Sequence, residues 1–270
     1  MRKLSLLGAL ALCLCITNVA SAGGPPAAFG SVLTSFTPAH VGNGRALAFD
    51  SKSGHLFYTN SFDDHIYVTD AAGDDIATLT TTYNYGALSW DSKRDVLWGG
   101  RYNGSGGVDQ IDPTTGASTP QFAYAFPAGD SCYFQSPGFI DGLAFDRITD
   151  TLWLSDDNAK TIFHVSLTGD TISSSPVPPG RCNTGIASAG QYLWLALQSG
   201  PDTPPFDIVH VAKSDPSTVL SSFPFVSAGA GPEGIAVDKH SFVPNCAVWT
   251  NQYGPTKLTA WAVEPGCPSD

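Results

Sequence analysis

Three charged side chains pose the chemical question: Arg45 in "NGRALAF", Asp141 in "IDGLAFD" and Glu233 in "PEGIAVD". Each acid stands two residues before a matched apolar position, Leu143 and Ile235, so both should leave the same kind of strand in the same direction. Two carboxylates that converge in this way could share a hard cation, and oxygen ligands suit calcium better than zinc. A cation there could polarise a carbonyl while Asp141 or Glu233 served as its ligand or as a base for water. Equally, the pair could close on Arg45 as charge-assisted hydrogen bonds. The sequence leaves both arrangements open.

Other chemistries have little support. None of the six histidines belongs to a metal-spaced pair, and there is no Gly-x-Ser-x-Gly elbow, phosphate loop or Cys-x-x-Cys pair. His164 and His210 occupy equivalent strand positions and read as packing residues. Asp50, Asp91, Asp146 and Asp238 end apolar runs and open "DSKSG", "DSKRD", "DRITD" and "DKHS", where an aspartate side chain caps local backbone amides. These carboxylates are read as turn residues. Asn103-Gly-Ser105 fits a glycosylation sequon.

The strands that must position the acids recur. "ALAFDSKSGHLFYTN", "ALSWDSKRDVLWGGR", "GLAFDRITDTLWLSD", "GIASAGQYLWLALQ" and "GIAVDKHSFVPNCAVWTNQ" begin at Ala46, Ala87, Gly142, Gly185 and Gly234, about 41 to 55 residues apart. Each copy continues into a third alternating run, and the first four into a fourth. The fifth copy lacks its fourth run, and an orphan run, Ser31 to Phe36, precedes the first copy. The expected fold is all-β: a β-propeller of five four-stranded blades, with the N-terminal strand pairing along residues 257–263 to close the last blade. Six blades is the alternative if residues 128–139 hide degenerate strands. Tyr58, Trp98, Trp153, Trp194 and Trp249 mark the second strand of each blade and should fill the wedges between sheets.

Residues 1–22 read as a signal peptide: Arg2 and Lys3, an apolar run from Leu4 to Ile16, then Ala20-Ser21-Ala22. Residues 23–270 then form one propeller domain, secreted or periplasmic, with no run long enough to span a membrane. Export makes disulfides of the remaining cysteines. If inner strands run away from the site face, Cys132 and Cys182 lie together in adjacent loops on that face and should pair, leaving Cys246 with Cys267 at the opposite face. A formal net charge of −11 argues against nucleic acid as a partner.

Propeller geometry gathers the residues before each inner strand around one end of the channel: Arg45, Gly86, Asp141, Thr184 and Glu233. The loops after each second strand share that face and add Asn60, Asp63, Arg101, Asp156, Asp157 and Asn251 as candidate ligand-binding residues. Asp141 and Glu233 are the candidate metal ligands.

"GLAFDRITDTLWLSDDNAKTIFHVSLTG" and "PEGIAVD" resemble blades of the NHL-repeat and gluconolactonase (regucalcin-like) propellers. That resemblance implies a propeller fold and, in its enzymes, a central divalent cation, typically calcium, held by a Glu, an Asn and an Asp. Asp141 matches the Asp. Gly86 stands in the Asn position and Arg45 in the Glu-bearing blade, and those enzymes usually have six blades. The expected function is a secreted propeller that binds a small molecule, a carbohydrate or a protein loop at its channel face. A calcium-dependent lactone or ester hydrolase is the alternative.

Overall fold

Short apolar runs rich in β-branched and aromatic residues, each stopped by Asp, Gly or Ser, form strands here. The structure, a computed structural model, describes residues 26–130, 132, 137–200, 203–227 and 230–265. Among these there is no α-helix, and no helix long and apolar enough to cross a membrane. Strand β1 (Val32–Phe36) precedes blade one, β2 (Gly44–Asp50), β3 (His55–Asn60), β4 (His65–Asp70) and β5 (Asp75–Thr80). Blade two is β6 (Tyr85–Asp91), β7 (Val96–Arg101), β8 (Gly107–Ile111) and β9 (Ser118–Ala123). Blade three is β10 (Ile140–Asp146), β11 (Thr151–Asp156), β12 (Thr161–Val165) and β13 (Thr171–Pro176). Blade four is β14 (Cys182–Ala189), β15 (Tyr192–Gln198), β16 (Asp207–Ala212) and β17 (Asp215–Pro224). Blade five is β18 (Pro232–Asp238), β19 (Asn245–Gln252) and β20 (Leu258–Pro265), completed by β1.

The chain is therefore a five-bladed propeller of antiparallel four-stranded sheets. Its ring is closed as expected, with Thr34 opposite Ala260 and Phe36 opposite Leu258. Ser35 and Thr259 hydroxyls meet at 2.8 Å across this seam. The pairing removes the open edge that β20 would otherwise present.

The core lies between blades rather than within them. Phe57 and Ile66 of blade one pack with Tyr85 and Leu97 of blade two, and Trp194 and Ile208 of blade four pack with Val248 and Trp261 of blade five. Second-strand aromatics are buried throughout: Tyr58, Trp98, Trp153, Trp194 and Trp249. His164 and His210 stack on Trp153 and Trp194, with ring centroids 4.3 and 4.5 Å apart, so both are packing residues.

The four strand-ending aspartates are turn caps. Asp50 accepts the Lys52 amide at 2.8 Å, Asp91 that of Lys93 at 2.9 Å, Asp146 that of Ile148 at 3.0 Å and Asp238 that of His240 at 2.8 Å. In two blades the second carboxylate oxygen also accepts the indole N–H of the buried tryptophan, Trp98 to Asp91 and Trp249 to Asp238, each at 3.1 Å.

Every inner strand carries a β-bulge at the same height, between Gly44 and Leu47, Tyr85 and Ala87, Ile140 and Gly142, Asn183 and Gly185, and Pro232 and Ile235. A bulge redirects the residue it displaces. The displaced positions are Arg45, Gly86, Asp141, Thr184 and Glu233. Just below them the channel is plugged by Leu47, Leu88, Leu143, Ile186 and Ile235, which leave no water-sized space. The blades approach closely here: a Cβ on Gly185 would sit 2.1 Å from the Glu233 carbonyl oxygen.

Cys132 and Cys182 form the expected disulfide. Cys246 is disulfide-bonded, and its expected partner Cys267 lies outside the described residues, as do residues 1–25, which include the signal-peptide assignment.

Candidate functional site

The bulges bring Arg45, Asp141 and Glu233 together. Arg45 is buried, and its Nη1 donates to Glu233 Oε2 at 3.0 Å and to Asp141 Oδ2 at 3.3 Å, with Asp157 Oδ1 at 4.0 Å. Its Nε donates to Ser61 Oγ at 2.8 Å. The guanidinium lies over Tyr102 at 4.4 Å and Tyr253 at 4.9 Å. One side chain of blade one thus contacts all of the other blades except blade four.

The electrostatics follow from one cation facing three buried acids. Burial, and then the neighbouring charge of Glu233, hold the Asp141 carboxyl well above the usual carboxylate range, against the pull of Arg45. Burial alone would lower the Arg45 guanidinium, but Glu233 and Asp141 hold it well above its ordinary value. A hydrogen bond between the Asp141 and Glu233 carboxyl groups adds to the rise at Asp141. Tyr102 donates to Asp157 Oδ2 at 2.8 Å, and burial raises its phenol well above the ordinary value. Asn158 donates to Asp157 Oδ1 at 2.7 Å and accepts from Gln198, which carries the network into blade four.

The remaining candidates serve the scaffold. Asp156 Oδ1 accepts the amides of Gly138 and Phe139 at 3.0 and 2.9 Å, and burial pushes its carboxyl up to about 6. Asn60 accepts from Thr256 at 2.5 Å and donates to the His40 carbonyl at 3.2 Å. Asn251 donates to the carbonyls of Ala46 and Thr59 at 3.1 and 3.2 Å, next to the blade-one bulge. Asp63 is held by His65 at 2.6 Å and by the Tyr67 hydroxyl. Arg101 pairs with Asp109 through two bonds of 2.6 and 2.8 Å and stacks on Tyr83. Of the loop candidates only Asp157 reaches the Arg45 cluster.

The aromatic wall, Tyr102 and Tyr253, was not among the sequence candidates. The signal was present, since each directly follows the end of a second strand, Arg101 and Gln252, on the face already assigned to the site. Phe62 lies beside this wall, 84% exposed and 6.4 Å from the Tyr102 ring, with φ at +61°. A large aromatic in the left-handed region is uncommon and strained.

A divalent cation fits this cluster poorly. Arg45 Nη1 already bridges the two acids that would ligate it. Gly86 cannot be rebuilt as a ligand, because a Cβ there would sit 2.4 Å from the Ile140 carbonyl oxygen and 2.6 Å from the Tyr102 ring.

No family model matches this chain, and no curated protein matches it in sequence. Solved structures match it in fold. A luciferin-regenerating enzyme superposes with a TM-score of 0.53 at 10% identity, covering 88% of this chain and 95% of the other. The tail fibre of Staphylococcus aureus phage P68 gives 0.55 at 14% identity, covering 86% of this chain and 52% of that one. Virginiamycin B lyase from Staphylococcus aureus gives 0.49 at 12% identity, covering 85% and 99%. At these identities the likeness is one of fold.

Proposed function

We propose that this chain is an exported binding propeller whose ligand lodges at the bulged end of the channel, stacking on Phe62 above the Arg45 cluster. The observation that carries this is Phe62 itself, a strained and exposed ring at the mouth of an otherwise polar site. Phe62 offers an exposed flat face, and the half-buried Tyr253 covers the same guanidinium as the buried Tyr102, so apolar rings stand beside a polar cluster, the pairing that suits a sugar ring. A carbohydrate is therefore the favoured ligand, ahead of another small molecule or a protein loop. The Cys132–Cys182 disulfide and the basic-apolar-small leader at residues 1–22 support export.

The calcium-dependent lactone or ester hydrolase is the lesser reading, because a guanidinium stands between the two acids that would hold the cation. Glycan-array screening followed by calorimetry tests the proposal. Phe62→Ser should weaken the selected sugar at least tenfold with thermal stability kept, since an exposed ring contributes little to folding. Chelator-sensitive turnover of lactones, with no sugar bound, would replace this reading with the hydrolase.

A further inference from the structure

At the end of the channel opposite Arg45 the five blades stop being equivalent. The inner-strand position that carries Phe49, Trp90, Phe145 and Val237 carries Ser188 in blade four, and the aspartate that follows in the others is Ala189 there. Three aromatic rings therefore face a gap left by small side chains. The gap is a cavity of about 100 Å³ bounded by those residues with Gly190, Arg147, Lys213 and Lys239. A second space of about 70 Å³ behind it shares Phe49, Trp90, Phe145 and Ser188 as walls. Ser51, Ser92 and Ser188 line the first space with the three rings, so its walls are mixed and suit a ring that carries polar substituents.

The rim is basic, in a chain whose net charge is −11. Arg147, Lys213 and Lys239 border the cavity with His240, against one carboxylate, Asp146. Lys213 already neutralises Asp146, donating to its Oδ1 at 2.8 Å and to the Gly190 carbonyl at 2.6 Å. Arg147 is exposed and has no ion pair among the described residues. Arg147 therefore remains a cation of the rim after the Lys213–Asp146 pairing.

Asp146 carries a further mark. The equivalent aspartates of blades two and five give their second oxygen to a tryptophan indole. In blade three that bond is missing: Asp146 Oδ2 and Trp153 Nε1 are both buried without a hydrogen-bond partner. Lys213 holds the carboxylate, and a buried acceptor is left at the cavity wall.

We propose that this cavity binds a small aromatic carboxylate, its ring against Phe49, Trp90 and Phe145 and its carboxylate towards Arg147 and Lys239, with Asp146 Oδ2 able to accept a ring hydroxyl. The site lies at the end of the channel away from the Arg45 cluster and is independent of the sugar-binding reading.

Calorimetric titration of the full chain with benzoate and 4-hydroxybenzoate tests it. The expected result is saturable binding of one molecule, tighter for the hydroxylated acid. Arg147→Met and Lys239→Met should each weaken it at least tenfold, benzyl alcohol should bind at least tenfold more weakly, and Ser188→Leu should abolish binding by filling the gap. Arg147 is exposed, so its variant keeps the test valid if Ser188→Leu fails to fold. No saturable binding, or binding that survives all three substitutions, overturns the proposal. Equal affinity for benzyl alcohol overturns the carboxylate assignment.

Discussion

Arg45 Nη1 lies 3.0 Å from Glu233 Oε2, although the two residues are 188 positions apart in the chain. They belong to the first and last blades, which are neighbours in the ring, so this bond crosses the same junction that β1 closes on the outside. The same nitrogen reaches Asp141 of blade three. A single guanidinium thereby ties the ring together where the bulges have interrupted the ladders. A buried pair of this kind adds little net stability over an apolar replacement of both partners, but removing one partner leaves the others buried and uncompensated.

Arg45→Met should therefore destabilise the fold by about 3 to 5 kcal/mol, the usual cost of breaking a buried pair from one side. The three acids left behind form an oxygen-rich site with no internal cation, so calcium should restore part of the loss in the variant and change the parent little. Urea unfolding with and without calcium checks both. A variant as stable as the parent would show that the cluster is not under electrostatic load.

The two ring acids should respond unequally. Burial and the charge of Glu233 favour the neutral form of Asp141, so Asp141→Asn, a neutral group of the same shape, should cost no more than about 1 kcal/mol. Glu233→Gln weakens the shorter of the two carboxylate bonds of Arg45 and should cost about 2 kcal/mol or more. Thermal denaturation of both variants at neutral pH gives the order, and the reverse order would show that Asp141 is the more tightly held anion of the two.

The Cys132–Cys182 bridge joins the loop before blade three to the start of β14, across 50 positions. In the chain-entropy description, closing a loop of that length contributes about 4 kcal/mol. The double Cys→Ser variant should lose a comparable amount in chemical denaturation. A loss below about 1 kcal/mol would mean that the loops between blades two and four are ordered without it.

Blade number, closure and disulfide partner were legible because each depends on spacing and direction, which repeats expose. The convergence of Arg45, Asp141 and Glu233 was legible for the same reason: equal register predicts equal orientation. What register does not give is the side chain's choice among partners on its own face. Arg101 stands at the mouth by position, yet Asp109 lies across the β7–β8 hairpin and takes both of its donor groups. Asn60 and Asn251 stand there too, but their amides are drawn to backbone carbonyls nearby. Tyr102 and Tyr253 stand on the same face by position, but residue type alone does not announce that their rings flank a buried cation.

Asp146 and Asp91 cap equivalent turns with different second partners, which separates them by mutation. Asp91→Asn should cost about 1 to 2 kcal/mol, because Arg94 loses one of its two carboxylate partners, keeping Asp150, and the indole of Trp98 keeps only a neutral acceptor. Asp146→Asn strands Lys213, which is only 11% exposed, and should cost more, about 2 to 3 kcal/mol. Sugar binding at the Arg45 end should survive both. Loss of sugar binding in Asp146→Asn alone would place the ligand at the wrong end of the channel.

The pH dependence of stability should carry the signature of Asp156. Burial pushes its carboxyl up to about 6, above the value near 4 expected in the unfolded chain. Between these values the native state holds a proton that the unfolded chain has released. Its contribution is fully present below about pH 4 and is lost as pH rises through about 6, by roughly 2 to 3 kcal/mol in total. Asp112, Asp146 and Asp150 are held below the usual range and act in the opposite sense, losing their stabilisation as the solution becomes more acidic than about pH 4. Asp156→Asn isolates the first effect, because the amide oxygen can still accept from Gly138 and Phe139 while the titration is gone. The variant should gain stability relative to the parent as pH rises from 4 to about 6.5 and hold a constant difference above that. Urea midpoints measured in half-unit steps would reveal it, and a difference that stays flat across this window would show that Asp156 is ionised in the native protein.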